Sequence, residues 1–304
     1  MKHFACRCGL PALPVDVTLI LAVGLAPCAA TAESEPRLEK RIVFAPEAAS
    51  TWSVAESTVE RSTARSRTGS PVLHWHITVD HFAGEPQYPI GWPRANCALR
   101  DAAARDWSGW DYFQFWVYTD TTRAALPRDP VGLTLYTPDK QDAFHRSLTE
   151  LKKGEWVQVR IPLAQVPRHQ DVRLMQVHIS ESQYRHQDQL DFYFDELALV
   201  RYAQPTLLDF APEGAAMFAD GKQLPVRFQL AGVKPGERVD VACELRKGKT
   251  VVARTTVEAV RGPQRVVIDL SGARPEAGEY QVVARAQGGA EAAARVRLVA
   301  SPWQ

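Results

Sequence analysis

At 304 residues the chain has room for two ordinary domains, and an apolar content of 45% is enough to build a core in each. Its 36 basic residues nearly balance 35 acidic ones, giving a formal charge of +1 with no basic run, which argues against nucleic acid and favours neutral ligands.

Residues 1–32 read as an export signal, with Lys2 and Arg7 supplying positive charge, an apolar run from about Val15 to Ala26, and Ala30-Thr31-Ala32 as a small-x-small cleavage site. The expected location is therefore secreted or periplasmic. A competing reading makes Cys28 an acylated lipoprotein anchor, although Pro27 stands where that signal wants a small residue. The apolar run is too short to span a membrane, and no second one follows. After cleavage only Cys97 and Cys243 remain of five cysteines, and each reads as a small buried apolar residue rather than half of a disulfide.

Residues 33–40 are charged and contain proline, a linker before a first domain assigned to 41–203. Its first strand is expected at Ile42-Val43-Phe44. Polar residues from Glu56 to Ser70 then precede Val72–Val79, where Leu73, Trp75, Ile77 and Val79 share one face and His74, His76 and Thr78 the other. Asp80 to Ala104 reads as a long binding loop rich in Gly, Pro and aromatics, with Tyr88, Gly91, Trp92 and Pro93 near its centre. Asp106 to Tyr118 (DWSGWDYFQFWVY) is a turn feeding a core strand whose Phe113, Phe115 and Val117 alternate with Gln114, Trp116 and Tyr118. Further strands are expected at Gly132–Tyr136, Ala143–Leu148, Val157–Ile161, Val172–Ser180 and Leu190–Tyr202. In the last the alternation slips near Asp195-Glu196, which predicts a bulge or a strand covered on both faces. Ala102–Arg105 and Ser147–Lys153 have room for only one or two helical turns.

Composition changes at Gln204-Pro205, where a second domain is assigned to 204–304. Seven short strands separated by turn signals such as Pro235-Gly236 and Lys247-Gly248 predict an immunoglobulin- or fibronectin-like sandwich, with Val239, Val241, Cys243 and Leu245 inward. Ala277-Gly278-Glu279-Tyr280 resembles the tyrosine corner of such domains. The fold class expected for the whole is all-β.

Through Gly91-Trp92-Pro93, Asp106-Trp107-Ser108-Gly109-Trp110-Asp111, Gly154-Glu155-Trp156 with Ile161-Pro162-Leu163, and Phe192-Tyr193-Phe194-Asp195, residues 40–202 resemble a galactose-binding-like jelly roll of the kind found in many carbohydrate-binding modules. The resemblance implies a polysaccharide or oligosaccharide partner, core roles for Trp107 and Trp156, and a structural calcium ion at Asp195 or Glu196. Sugar rings stack on exposed aromatics, and their hydroxyls need planar polar partners. Candidate ligand residues are Trp92, Tyr88, Tyr136, His145, Arg146, His178, Tyr184, Arg185 and His186, with Trp92 foremost because it sits between Gly and Pro in a long loop.

His74-x-His76 offers zinc two nitrogens, which His81, His145 or His178 would complete to a tetrahedron, but a solvated or sugar-facing strand explains the pair more simply. Gln176-Val177-His178 resembles the Gln-x-His motif of a jelly-roll polysaccharide lyase family whose other motifs are missing, and no nucleophile elbow, phosphate loop or dinucleotide-binding glycine pattern is present. The reading is a secreted, non-catalytic carbohydrate-binding protein. The alternatives are a lyase or glycoside hydrolase on the same fold, and a structural protein of the cell envelope.

Overall fold

The computed structural model describes residues 37–83 and 90–302. The export signal, Cys28, half of the linker and Tyr88 lie outside them. The first half carries eleven strands: β1 (Leu38–Phe44), β2 (Ser53–Ala55), β3 (Thr58–Ser62), β4 (Val72–Thr78), β5 (Arg94–Ala98), β6 (Tyr112–Thr121), β7 (Gly132–Tyr136), β8 (Phe144–Ser147), β9 (Trp156–Pro162), β10 (Leu174–His178) and β11 (Gln189–Tyr202). They form two antiparallel sheets. One runs β3-β4-β11-β6-β9 with β1 added to β11, and the other runs β2-β5-β10-β7-β8, so the chain passes back and forth between layers as a jelly roll does.

Alternation builds the core. Leu73, Trp75, Ile77, Phe113, Phe115, Val117, Leu133, Leu135, Met175, Val177, Leu190 and Phe192 are all buried between the layers. Each such side chain contributes about 1.5–3 kcal/mol relative to leaving it in water. Trp107 is fully buried against Phe113, with ring centroids 5.1 Å apart. Trp156 is not in this core: it lies half-buried on the outside of its sheet, against Tyr118 at 5.6 Å, because its parity along β9 opposes that of the inward Val159 and Ile161.

Two stretches read as connections contain strands. β3 is a polar edge strand within the expected Glu56–Ser70 separator, and β5 interrupts the expected Asp80–Ala104 loop. The short turn α1 (Ala102–Arg105) is capped by Asp101, whose carboxylate accepts from the Ala103 amide, whereas Ser147–Lys153 forms no helix. The slip in β11 is a bulge: pairing with β6 shifts between Asp195 and Ala198, and Glu196 takes φ 49°. Beyond it both faces are covered, since Leu197, Ala198, Leu199, Val200 and Tyr202 are all buried.

The second half adds β12 (Thr206–Pro212), β13 (Ala216–Phe218), β14 (Gln223–Ala231), β15 (Arg238–Lys247), β16 (Thr250–Val260), β17 (Gly262–Asp269), β18 (Gly278–Ala286) and β19 (Glu291–Val299). Sheets β12-β14-β17 and β13-β19-β18-β15-β16 pack as a sandwich. Val239, Val241, Cys243 and Leu245 point inward, and Tyr280 donates its hydroxyl hydrogen to the Glu276 carbonyl at 2.9 Å, closing the corner. Cys97 and Cys243 are free and buried, and burial pushes the Cys243 thiol up to about 11.

Asp111 joins the two halves. Its Oδ2 accepts from the Tyr202 amide at 3.0 Å and the Gly232 amide at 3.1 Å, while its Oδ1 pairs with Arg261 at 2.9 Å; Arg261 also donates to the Ser108 and Trp110 carbonyls. Gly232 has φ 71°, and a Cβ there would fall 2.2 Å from the Gln204 carbonyl oxygen, so the close approach requires glycine.

Candidate functional site

The outward residues of β2-β5-β10-β7-β8 form a polar face on which Thr134 and Gln176 are themselves nearly covered by their neighbours. Pairing places Ser53, Asn96, Gln176, Thr134 and His145 in one row across the five strands. The next row holds Arg94, His178, Gly132 and Ser147. Gln176 Nε2 donates to Asn96 Oδ1 at 2.7 Å, Tyr136 donates its hydroxyl hydrogen to Gln176 Oε1 at 3.4 Å, and His145 Nδ1 lies 2.9 Å from Thr134 Oγ1. These bonds fix amide and imidazole planes against the sheet.

Trp92 stands at the rim of this face, 41% exposed, edge-on to His178 at 5.7 Å with the Arg94 guanidinium 4.8 Å from its ring centroid. The His178 imidazole lies over Gly132: a Cβ at that position would come within 2.4 Å of Nε2. Burial, and then the neighbouring His145, hold His178 below the ordinary imidazole range, and its Nδ1 has no hydrogen-bond partner among the described residues. Together His178, His145, Gly132, Ser147, Asp129 and Arg146 line a depression of about 310 Å³.

Four of the residues singled out from sequence thus meet here: Trp92, Tyr136, His145 and His178. Arg146 reaches the edge of the same depression, but its guanidinium is engaged by the Glu150 carboxylate at 2.6 Å and the Arg160 carbonyl at 3.1 Å, so it braces one sheet to the other. Tyr184 is a correction. It is 4% exposed, its hydroxyl donating to the Pro130 carbonyl at 2.7 Å, which makes it a core residue that no ligand can reach. His186 is exposed elsewhere, 5.9 Å from the His81 ring and 4.8 Å from the Phe82 ring, and Arg185 occupies the adjoining turn, where its amide donates to Asp188.

Asp195 and Glu196 have countercharge nearby: Arg67 lies 3.6 Å from Asp195 Oδ2, which has no hydrogen-bond partner among the described residues, and 2.8 Å from Glu196, and Lys40 lies 3.2 Å from Glu196. Burial raises the Asp195 carboxyl above its usual range despite the opposing guanidinium.

Sequence reasoning passed over Arg94, Asn96 and Gln176, which register places on this face. The alternation Ala95-in, Asn96-out, Cys97-in was a signal, but alanine, asparagine and cysteine are weak strand formers, and β5 is short.

The outer face of the other sheet carries a band of rings: His74 stacked on Tyr193 at 4.4 Å and 5°, then Tyr118, then Trp156. The guanidiniums of Arg65 and Arg67 cover Tyr118 and Trp116 at 5.2 and 4.5 Å, so these rings are less available for stacking than Trp92. At the end of the band His74, His76 and Asp191 converge. Asp191 Oδ1 lies 2.7 Å from His74 Nε2 and 2.8 Å from His76 Nδ1. Burial alone would lower His74, but its hydrogen bonds to Asp191 and Glu60 raise it; the His74 bond in turn lowers Asp191. His81, His145 and His178 are not the third partners of the histidine pair. The third partner is Asp191, register-paired with His76.

No protein-family model matches the chain, and no curated protein matches it. Solved structures similar to it include a xylan-binding domain from Paenibacillus barcinonensis, 11% identical with a TM-score of 0.33, covering 55% of this chain and 95% of that one. A carbohydrate-binding module that recognises mannan is 12% identical with a TM-score of 0.31, covering 54% of this chain and 98% of that one. An exo-β-agarase is 8% identical with a TM-score of 0.35, covering 50% of this chain and 23% of that one, and this chain likewise spans 36% of a glycoside hydrolase domain from Streptococcus pneumoniae. All of these lie below a TM-score of 0.5, so what this chain does is read from its own side chains.

Proposed function

We propose that this chain is an exported polysaccharide-binding protein that holds its ligand on the outer face of β2-β5-β10-β7-β8. One observation carries the reading: Trp92, Tyr136, His145, His178 and the bonded Asn96–Gln176 pair converge on a single surface, rings at its rim and planar polar groups across its floor. A pyranose ring offers apolar C–H faces to the former and hydroxyls to the latter. Affinity electrophoresis of the purified chain against neutral and acidic polysaccharides should show retardation by at least one of them. Trp92→Ala should abolish it while leaving the far-UV circular dichroism and the unfolding midpoint unchanged. Retardation by none of a broad panel, or retardation unaffected by Trp92→Ala, rules this face out.

Cleavage of the same ligand is a second reading, favoured by the placement of His178, whose neutral form burial favours, beside Arg94, with Gln176 and Tyr136 on the same face. It requires a time-dependent rise in unsaturated or reducing ends. A bound polysaccharide that stays intact excludes it.

A further inference from the structure

His74 and His76 are alternate residues on β4, so their side chains rise from the same side of the sheet, and β11 sets Asp191 directly opposite His76. Two imidazole nitrogens and one carboxylate oxygen, each from a different residue, lie within 4.8 Å of one another, the one such group among the described residues. The remaining nitrogens are already spoken for. Glu60 Oε1 lies 3.0 Å from His74 Nδ1, and Thr78 Oγ1 lies 3.4 Å from His76 Nε2. That leaves His74 Nε2 and His76 Nδ1 as the pair facing Asp191. A carboxylate on the far nitrogen of a ligating imidazole is the usual outer support of a metal site, fixing tautomer and orientation. Here the Tyr193 ring, parallel to His74 at 4.4 Å, holds the imidazole plane as well.

We infer that His74, His76 and Asp191 form a binding site for a divalent transition-metal ion, zinc foremost. Two nitrogens and one oxygen suit a borderline cation rather than calcium or magnesium, which take oxygen alone. Ligand atoms at zinc distances of 2.0–2.2 Å stand ~3.3 Å apart in a tetrahedron, so the present separations of 2.7 and 2.8 Å open by about half an ångström as the shared proton contacts give way to the ion. Side-chain exposures of 13%, 35% and 27% leave the site accessible from solvent, with the fourth position free for water or an external oxygen donor. His76 also lines a depression together with Glu56, Asp80 and Glu181. The site lies on the opposite sheet from the proposed polysaccharide face and stands or falls independently of it.

Calorimetric titration of the metal-free purified chain with zinc chloride tests the inference. One ion per chain is expected, with cobalt(II) showing the enhanced visible absorption of a site of low coordination number. Asp191→Asn and His76→Ala should each weaken zinc binding at least tenfold, and Glu60→Ala should weaken it ~10–100-fold by loosening His74. His169→Ala, at a histidine far from the cluster in sequence and bonded to the Val166 carbonyl, should leave it unchanged. Circular dichroism confirms that each variant is folded, and a variant that is not is replaced by His74→Gln. Absence of stoichiometric zinc binding, or binding that survives Asp191→Asn in a folded chain, overturns the assignment.

Discussion

Replacing Asp111 by alanine removes at one stroke the acceptor for the Tyr202 and Gly232 amides and the counterion of Arg261. The carboxylate side chain is 6% exposed, and Arg261 is 19% exposed, so water replaces little of what is lost. Removing one partner of a buried ion pair costs about 3–5 kcal/mol, and stranding buried amides costs about 1–3 kcal/mol each before relaxation. Because the guanidinium keeps some solvent and the Ser108 and Trp110 carbonyls, a net loss of about 4 kcal/mol is the expectation, on the order of 10 °C in Tm for a chain of this size. Arg261→Leu should cost somewhat less, about 3 kcal/mol, the low end of the range for a broken buried pair, since Asp111 would retain both backbone donors. Guanidinium-induced unfolding followed by tryptophan fluorescence measures both. A loss under about 1 kcal/mol for Asp111→Ala, or a larger loss for Arg261→Leu than for Asp111→Ala, would refute the claim that this carboxylate organises the junction.

Tyr184→Phe should cost about 1 kcal/mol in the same assay through the lost bond to the Pro130 carbonyl, and should leave polysaccharide retardation unaltered, which distinguishes a core residue from a contact. Gly132→Ala should keep the fold and weaken retardation, because the added methyl meets only the movable tip of His178 and displaces it from the face; a crystal structure with the imidazole unmoved would contradict this. His178 titrates below its ordinary value of 6.5, so as pH falls through that value the unfolded chain takes up the proton first and stability is lost. His178→Gln should therefore flatten the decline in stability on acidification below neutrality, and equal declines in the two proteins would show that another group governs it.

Strands with strict alternation were legible from residue type alone: Val72–Thr78, Tyr112–Thr121 and Arg238–Lys247 each set apolar residues inward at every second place. β3 and β5 were not, because an edge strand need not be apolar and Arg94–Ala98 has side chains of weak strand preference. The candidate face was half visible. Aromatics and histidines announce a chemistry, but only register tells which sheet they face, and register joined Gln176 and Asn96 to the site; Tyr184, in the bend after the turn Glu181–Gln183, is buried where no strand pattern marks it. The histidine pair was visible and its third partner was not, since Asp191 lies more than a hundred residues further along the chain and comes to His76 only through strand pairing.

The extra residue at Glu196 gives β11 two unlike halves. Ahead of it the outward positions are Asp191, part-exposed, and Tyr193, covered by the His74 ring; behind it Ala198, Val200 and Tyr202 are buried, and the Tyr202 amide donates to Asp111 at the junction. Cutting the molecule at Gln204 would take Gly232 from beside Tyr202 and strip Asp111 of the Gly232 amide and the Arg261 guanidinium, leaving the front module with a bare carboxylate at its end. An engineer wanting that module alone would first have to recode Asp111, and one wanting to shorten β11 by a single residue would turn the strand inside out.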